Sequence, residues 1–559
     1  MWQHNYHPIG GSLAASTVAA AVPIVVLFLM LGVLRKPAWM SAMAALVSAL
    51  VVALAVYGMP AQLAVISILY GAAYGLFPIA WIVFSSIMLY RLAVDTGKFE
   101  IIKDSVGSLT DDRRLQALFI AFSFGAFIEG AAGFGAPVAV SGAMLAGLGF
   151  DPFFAAGMCL LANTAPVAFG SIGIPIVTLA NVTGLPSMAL SAMVGRLCAI
   201  ISVIIPAYLM VVMAGPARAL EVLPAIIACG LSFAGMQFFA SNFIGPDLTD
   251  ILSSLTCIIV MVAVLKLWRP ARIMRLEGDH PAARTPGRYS GAQVFTAWSP
   301  YLLLVVFVLA VGAPSIKNAI DVRTHAMLPS MLPKSPTVMN GLFVPGLHNA
   351  ITRIPPVTPT ASPYAAVFTF NWLTASGTAC FLATLAAAAF LRVGPSRLAG
   401  IYVATFKQLK FAILTIASML GLAYLMNYSG MTSTLGLELA ATGAAFPFFG
   451  AVVGWLGVFL TGSDTSANAL FGNLQVVTAN ALSLNPVLMA SVNSAAGVMG
   501  KMISVQSIAV AVAATGMTAA DESRLFRFTI KHSVLLMVAM GVVALLFAYA
   551  FPGAVPSPK

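Results

Sequence analysis

FSFGAFIEGAAGFGAPVAVSG, residues 122–142, is apolar enough for a membrane helix yet carries Gly125, Gly130, Gly133, Gly135, Gly142 and Pro137. In a helix interior glycine costs about 1 kcal/mol against alanine and proline about 3, so a continuous helix is disfavoured and a break is expected between Glu129 and Pro137. Irregular backbone of this kind survives at bilayer depth only where it lines a cavity or is buried in protein.

The same ordering is written twice. Gly125, Phe127 and Gly130 precede Asn163, Ala165 and Gly170, and Gly457, Phe459 and Gly462 precede Asn493, Ala495 and Gly500. The blocks NTAPVAFGSIGIPI (163–176), GVFLTGSDTSANALFGN (457–473) and NSAAGVMGKMISVQS (493–507) complete the two copies. Duplicated, interrupted apolar segments point to a transporter whose substrate binds near the midplane, where the copies meet. Pro166, Gly170, Gly173 and Pro175 predict a second break or a re-entrant hairpin. Helix ends made there expose amides whose partial positive charge suits a carboxylate. The second-half blocks hold more hydroxyls: Thr461, Ser463, Thr465, Ser466, Ser494 and Ser504. These can donate to a carboxylate or coordinate an ion, although small hydroxyl residues also let membrane helices pack closely.

Composition agrees with a bilayer protein. The 559 residues are 60% hydrophobic and 8% charged, with mean hydropathy +0.98, where a soluble domain is about 25% charged. A span takes about 20 apolar residues, and about 12 to 14 such stretches can be placed. The expected fold is an all-α integral membrane protein, its helices in two inverted repeats with broken or re-entrant segments. The net charge of +11 arises in short links between apolar runs, as the positive-inside rule requires, and does not point to nucleic acid. Cys159, Cys198, Cys229, Cys257 and Cys380 lie in apolar stretches without metal-ligand spacing. They read as buried, inert thiols rather than a disulfide framework or a zinc site.

No basic residue precedes the first apolar run, so no cleaved signal peptide is expected. Thr17 to Leu34 is followed by Arg35 and Lys36, which places that end in the cytoplasm and the N-terminus outside. The segment 91–116, with Arg91, Lys98, Lys103, Arg113 and Arg114, and the link RPARIMRLEGDHPAARTPGR are cytoplasmic by the same rule. The link divides the chain into a first half, 1–268, a cytoplasmic linker, 269–297, and a second half, 298–559. In the second half a span near Pro300 to Gly312 precedes a polar stretch to Pro363, which reads as an external loop. From Phe411 to Gly500 there is no Lys or Arg, whereas the first motif follows a basic segment. That contrast makes the two copies face opposite sides.

Charges inside the motifs are few. Between Arg114 and Arg196 stand only Glu129 and Asp151, and between Lys410 and Lys501 only Glu438 and Asp464. Asp151 reads as a turn residue before Pro152 and Glu438 as interfacial, which leaves Glu129, Asp464 and Lys501. A charge at a helix centre costs about 2.5 to 3.5 kcal/mol, so these are paired or functional. Alignment of the copies sets Glu129 on Thr461 and Asp464 on Ala132. The acids are not symmetry mates, but they can approach each other, and either can carry a coupling proton. Lys501, set on Ser171, is a counter-charge for an anionic substrate or for Asp464, or a snorkelling side chain at a helix end. The substrate-binding candidates are Gly130, Asn163, Thr164, Ser463, Asn493, Ser494 and Lys501, and the proton-coupling candidates are Glu129 and Asp464. No metal or cofactor is expected beyond a proton gradient. His4, His7, His280, His325 and His348 lie at the terminus or in polar links, and His532 reads as interfacial. With no metal-ligand cluster, nucleophile motif or cofactor loop, an enzyme is disfavoured. An anion channel or exchanger using the same helix ends is the other reading.

The stretches EGAAGFGAP, NTAPVAFG, GSDTSANALFGNLQ and NSAAGVMGKMIS resemble the lactate permease family of bacterial inner membranes, over essentially the whole chain. The resemblance implies transport of small 2-hydroxy monocarboxylates, L-lactate first, with D-lactate and glycolate as relatives, in symport with protons. The Asn-Thr and Asn-Ser dipeptides are also similar to the Ser-Asn-Thr motifs of dicarboxylate transporters built from inverted repeats. Here Ala162 and Val492 replace the first serine, which weighs against direct sodium coordination.

Overall fold

The computed structural model describes residues 1–107, 109–133, 135–275, 289–328, 333–336 and 338–557. Among them, 11 helices are long and apolar enough to cross a membrane, or up to 13 if each of two bent helix pairs counts as one span. The expected 12 to 14 is met only when the bent pairs are counted, because the glycine and proline blocks that carry the motifs are broken helices. The span Arg113–Ala131 has its most apolar window wholly buried, against 22% for Leu13–Val33. The first motif span therefore lies at the centre of the bundle and the N-terminal span nearer its rim.

Helix α1 (Gly125–Ala131) ends where expected, and Gly133 and Gly135, at φ +61° and +85°, turn the chain into α2 (Ala136–Gly147). Asp151 caps α3 (Pro152–Ala162) by accepting from the Phe154 amide. After a short 3₁₀ turn, Ser171, Ile172 and Gly173 take positive φ and the chain leaves as α4 (Gly170–Thr183), bent 64° from α3. Further on, Thr249–Leu267 forms α5. The second half repeats the order. Helix α6 (Phe446–Thr461) stops at Gly462, φ +69°, and α7 (Asp464–Ala481) begins behind Ser463, which accepts from the Ser466 amide. Asn485 caps α8 (Pro486–Lys501), and Ser504 caps α9 (Val505–Ala514), bent 40° from α8. The halves meet closely. A β-carbon on Gly142 of α2 would lie 3.2 Å from Thr515 at the end of α9, and one on Gly472 of α7 would lie 2.6 Å from Leu179 of α4.

The polar stretch expected as an external loop is more ordered than that, holding the helix Pro314–Met327 and short strands. Strand β1 (Trp2–Gln3) pairs in parallel with a strand 349 residues on, Trp2 opposite Ile351. Besides this pair, the segment 341–369 holds β2 (Gly341–Phe343), β3 (Ile351–Arg353), β4 (Ser362–Pro363) and β5 (Val367–Thr369). β2 and β5 are antiparallel, as are β3 and β4. The N-terminus and this cap thus share one face of the molecule. Tyr70 and Tyr74 donate to the Val367 carbonyl at 2.8 and 2.9 Å, and Tyr428 to that of Ala365 at 2.6 Å, tying the cap to the bundle. His4 is buried beneath it, its Nε2–H donating to the Tyr428 carbonyl at 2.9 Å.

At the end that bears the linker, Arg114 is fully buried. Its guanidinium pairs with Asp112 and Glu221, each at 2.7 Å, and donates to the carbonyls of Arg218 at 2.7 Å and Arg272 at 2.8 Å. Residues 276–288 of the predicted linker lie outside the described residues. The span expected from Pro300 starts earlier, at Gly291, behind a Ser290–Gln293 capping box. His532 is buried and hydrogen-bonded to the Tyr208 hydroxyl.

Candidate functional site

The helix breaks of both halves converge on one cavity of about 150 Å³, lined by Glu129, Gly135, Gly170, Ser171 and Pro175 from the first half and Ser463, Asp464, Thr465, Lys501, Gln506 and Ser507 from the second. Drug-sized pockets run to about 300–1,000 Å³, so this volume suits a molecule of a few heavy atoms. Four helices begin at its wall. Gly135 is the N-cap of α2, Ile174 and Pro175 begin the right-handed part of α4 after its positive-φ turn, Ser463 to Thr465 start α7, and Gln506 and Ser507 lie in the first turn of α9. Helix N-termini carry partial positive charge, and aiming four of them at one space favours an anion there.

The ionic centre joins the halves. Lys501, at the C-terminal end of α8 where a cation complements the helix dipole, places Nζ 3.7 Å from Glu129 Oε1, with side chains 12% and 3% exposed. Glu129 Oε2 has no hydrogen-bond partner among the described residues. Asp464, also buried, is held from one side. Its Oδ2 accepts from Ser494 Oγ at 2.6 Å and Asn468 Nδ2 at 3.4 Å, while Oδ1 has no partner. Two glycines leave room for these carboxylates. A β-carbon on Gly170 would fall 2.5 Å from Glu129 Oε1, and one on Gly497 would fall 2.7 Å from Asp464 Oδ1.

The sequence candidates divide into lining and support. Ser463, Lys501, Glu129 and Asp464 line the cavity; Gly130, Asn163, Thr164, Asn493 and Ser494 do not. Ser494 positions Asp464, and Asn493 donates to Asn468 Oδ1 at 3.0 Å and accepts from Gln475 Nε2 at 3.3 Å, so this pair fixes α7 against α8. Asn163 and Thr164 are buried at the end of α3 with their side-chain polar atoms unpartnered. Gly130 is a packing contact, where a β-carbon would meet the Asp250 β-carbon at 2.8 Å. Lys501 forms its ion pair with Glu129 and shares the cavity with Asp464. Gln506 and Ser507 were not singled out from sequence, although their place just after the Ser504 cap was a signal for them. Asp250 was also missed.

The family model described as L-lactate permease matches residues 16–551. An L-lactate permease of Bacillus subtilis is 47% identical, covering 99% of this chain and 100% of its own. The glycolate permease GlcA of Escherichia coli is 44% identical, covering 99% of each. Among solved structures, the YdaH transporter of Alcanivorax borkumensis is 13% identical with a TM-score of 0.41, covering 87% of this chain and 88% of its own. The two sequence relatives are named permeases, not enzymes. A broken-helix membrane bundle with that match along nearly its whole length belongs to the L-lactate permease family.

Proposed function

We propose that this protein takes up L-lactate and related 2-hydroxy monocarboxylates, D-lactate and glycolate among them, by proton symport across the bacterial inner membrane. The observation that carries this reading is the meeting of Glu129, Asp464 and Lys501 in one small cavity ringed by helix N-termini. The names of its relatives support the substrate class.

The substrate carboxylate displaces Glu129 as the partner of Lys501 and takes further hydrogen bonds from amides at the starts of α2, α7 and α9. Its hydroxyl meets Ser463, Thr465, Gln506 or Ser507, all of which line the space. With Lys501 engaged, Glu129 and Asp464 face an added anion, and one of them must take a proton. Glu129 is the better placed, since it loses its only ionic partner while Asp464 keeps Ser494. The halves, 1–268 and 298–559, act as inverted repeats that rock against each other around the cavity, which changes sides when loaded with both solutes or empty of both. The N-terminus and the strand-rich cap lie outside and the linker 269–297 in the cytoplasm.

In proteoliposomes, an imposed inward proton gradient is expected to drive saturable accumulation of L-lactate, and Glu129→Gln to abolish accumulation while the protein still folds. Large unsaturable currents would assign an anion channel instead. Full gradient-driven uptake by Glu129→Gln would remove the proton from Glu129.

A further inference from the structure

Asp250 is the second residue of α5 and is 1% exposed. Neither of its carboxyl oxygens has a hydrogen-bond partner among the described residues. Unpaired buried charge costs several kcal/mol after relaxation, so a carboxyl in this setting holds its proton. It also lies against the coupling site. The backbone next to Glu129 rests on it, a β-carbon on Gly130 falling 2.8 Å from the Asp250 β-carbon and 3.1 Å from the Ile251 amide nitrogen, and the Glu129 charge bears on it directly. The other titratable groups around it are Asp247 before α5, which accepts from Ser376 Oγ at 2.7 Å, Cys198 on a neighbouring helix, Asp464 beyond Cys198, and Lys501 beyond Glu129. Of these only Lys501 is a cation, and it is committed to Glu129.

We propose that Asp250 is a second proton station, exchanging its proton with Glu129 during the cycle; this rests on proton symport as read above. While Lys501 is paired with Glu129, the proton stays on Asp250. When the substrate carboxylate draws Lys501 away, the charge on Glu129 is uncompensated. The Oδ–H bond of Asp250 then breaks as an Oε2–H bond forms on Glu129, and the negative charge passes to Asp250. A proton taken up from water restores Asp250 and completes the balance, so one proton enters with each anion. The unpartnered Glu129 Oε2 is the acceptor this step requires.

The test measures wild type and Asp250→Asn in proteoliposomes, following both L-lactate accumulation under a pH gradient and L-lactate/L-lactate exchange, which needs no net proton release. Asp250→Asn is expected to lose gradient-driven accumulation at least tenfold and exchange by much less. Accumulation at the wild-type level and pH profile would overturn the proposal, since asparagine mimics a carboxyl that never releases its proton. Should Asp250→Asn fail to fold, Asp250→Glu is read instead. A displaced pH profile of uptake supports the relay, and an unchanged one overturns it. A wild type that accumulates L-lactate with no proton movement overturns the symport reading itself, a result distinct from either variant outcome.

Discussion

A methyl group at Gly170 would stand 2.5 Å from Glu129 Oε1 and 3.1 Å from its Cγ, so this glycine sets how near the carboxylate comes to Lys501. Gly170→Ala is expected to push Glu129 aside at an overpacking cost of about 1–3 kcal/mol. The outcome to measure is a several-fold rise in the half-saturating L-lactate concentration for uptake with protein yield retained; an unchanged value would mean that the carboxylate position is immaterial. Sequence made the ionic centre legible because charges are so rare there that counting them isolates Glu129, Asp464 and Lys501. The count ended at Arg196, and Asp250 sits in IGPDLTDILSS beside a second aspartate, where it reads as an ordinary helix start. The recurring Asn163–Thr164 and Asn493–Ser494 pairs show the limit of a repeat. Residue type recurs in both copies, but one pair is held in a network and the other is unpartnered.

Among the elements, the breaks were readable because glycine and proline carry a local cost that no packing erases, and the α1–α2 and α3–α4 interruptions fall inside the predicted blocks. The number of spans was less so, since a bent pair and a straight helix have the same apolar content. The cap was missed as structure because its strands, two or three residues long, have no period to read, and β3 pairs with a strand at the far N-terminus. It also carries a titration. Burial, with the Arg353 charge nearby, lowers the His4 pKa from 6.5 to about 4, and Nδ1, the atom that would take the proton, has no hydrogen-bond partner among the described residues. A depressed histidine value means the contact is at full strength above the ordinary value and weakens as pH falls from 6.5 toward 4, by about 3 kcal/mol in all. Amide exchange across 341–369, corrected for intrinsic pH dependence, is expected to speed up over that window, and His4→Gln to remove the dependence. A flat wild-type profile would contradict this.

For the whole molecule, the site exists only where two distant halves meet, which no window of sequence displays; charge asymmetry along the chain hinted at it. One proton entering with one monocarboxylate anion moves no net charge, whereas each uncompensated charge would respond by about 2.3 kcal/mol per 100 mV. Uptake at fixed pH gradient is therefore expected to be indifferent to a valinomycin-clamped potential, and acceleration by an interior-negative potential would indicate more than one proton per anion.

The buried Arg114 clasp has a consequence for how the molecule is made. Its partners, Asp112, Arg218, Glu221 and Arg272, all precede the unassigned part of the linker. Chains emerge from the ribosome N-terminus first and fold in that order. Every group of the clasp is thus in hand before the second half is translated, while the cavity must wait for Lys501 and Gln506. Biogenesis has two milestones, a base fastened early and a binding site closed late, and a chain stalled at the linker would own the first without the second.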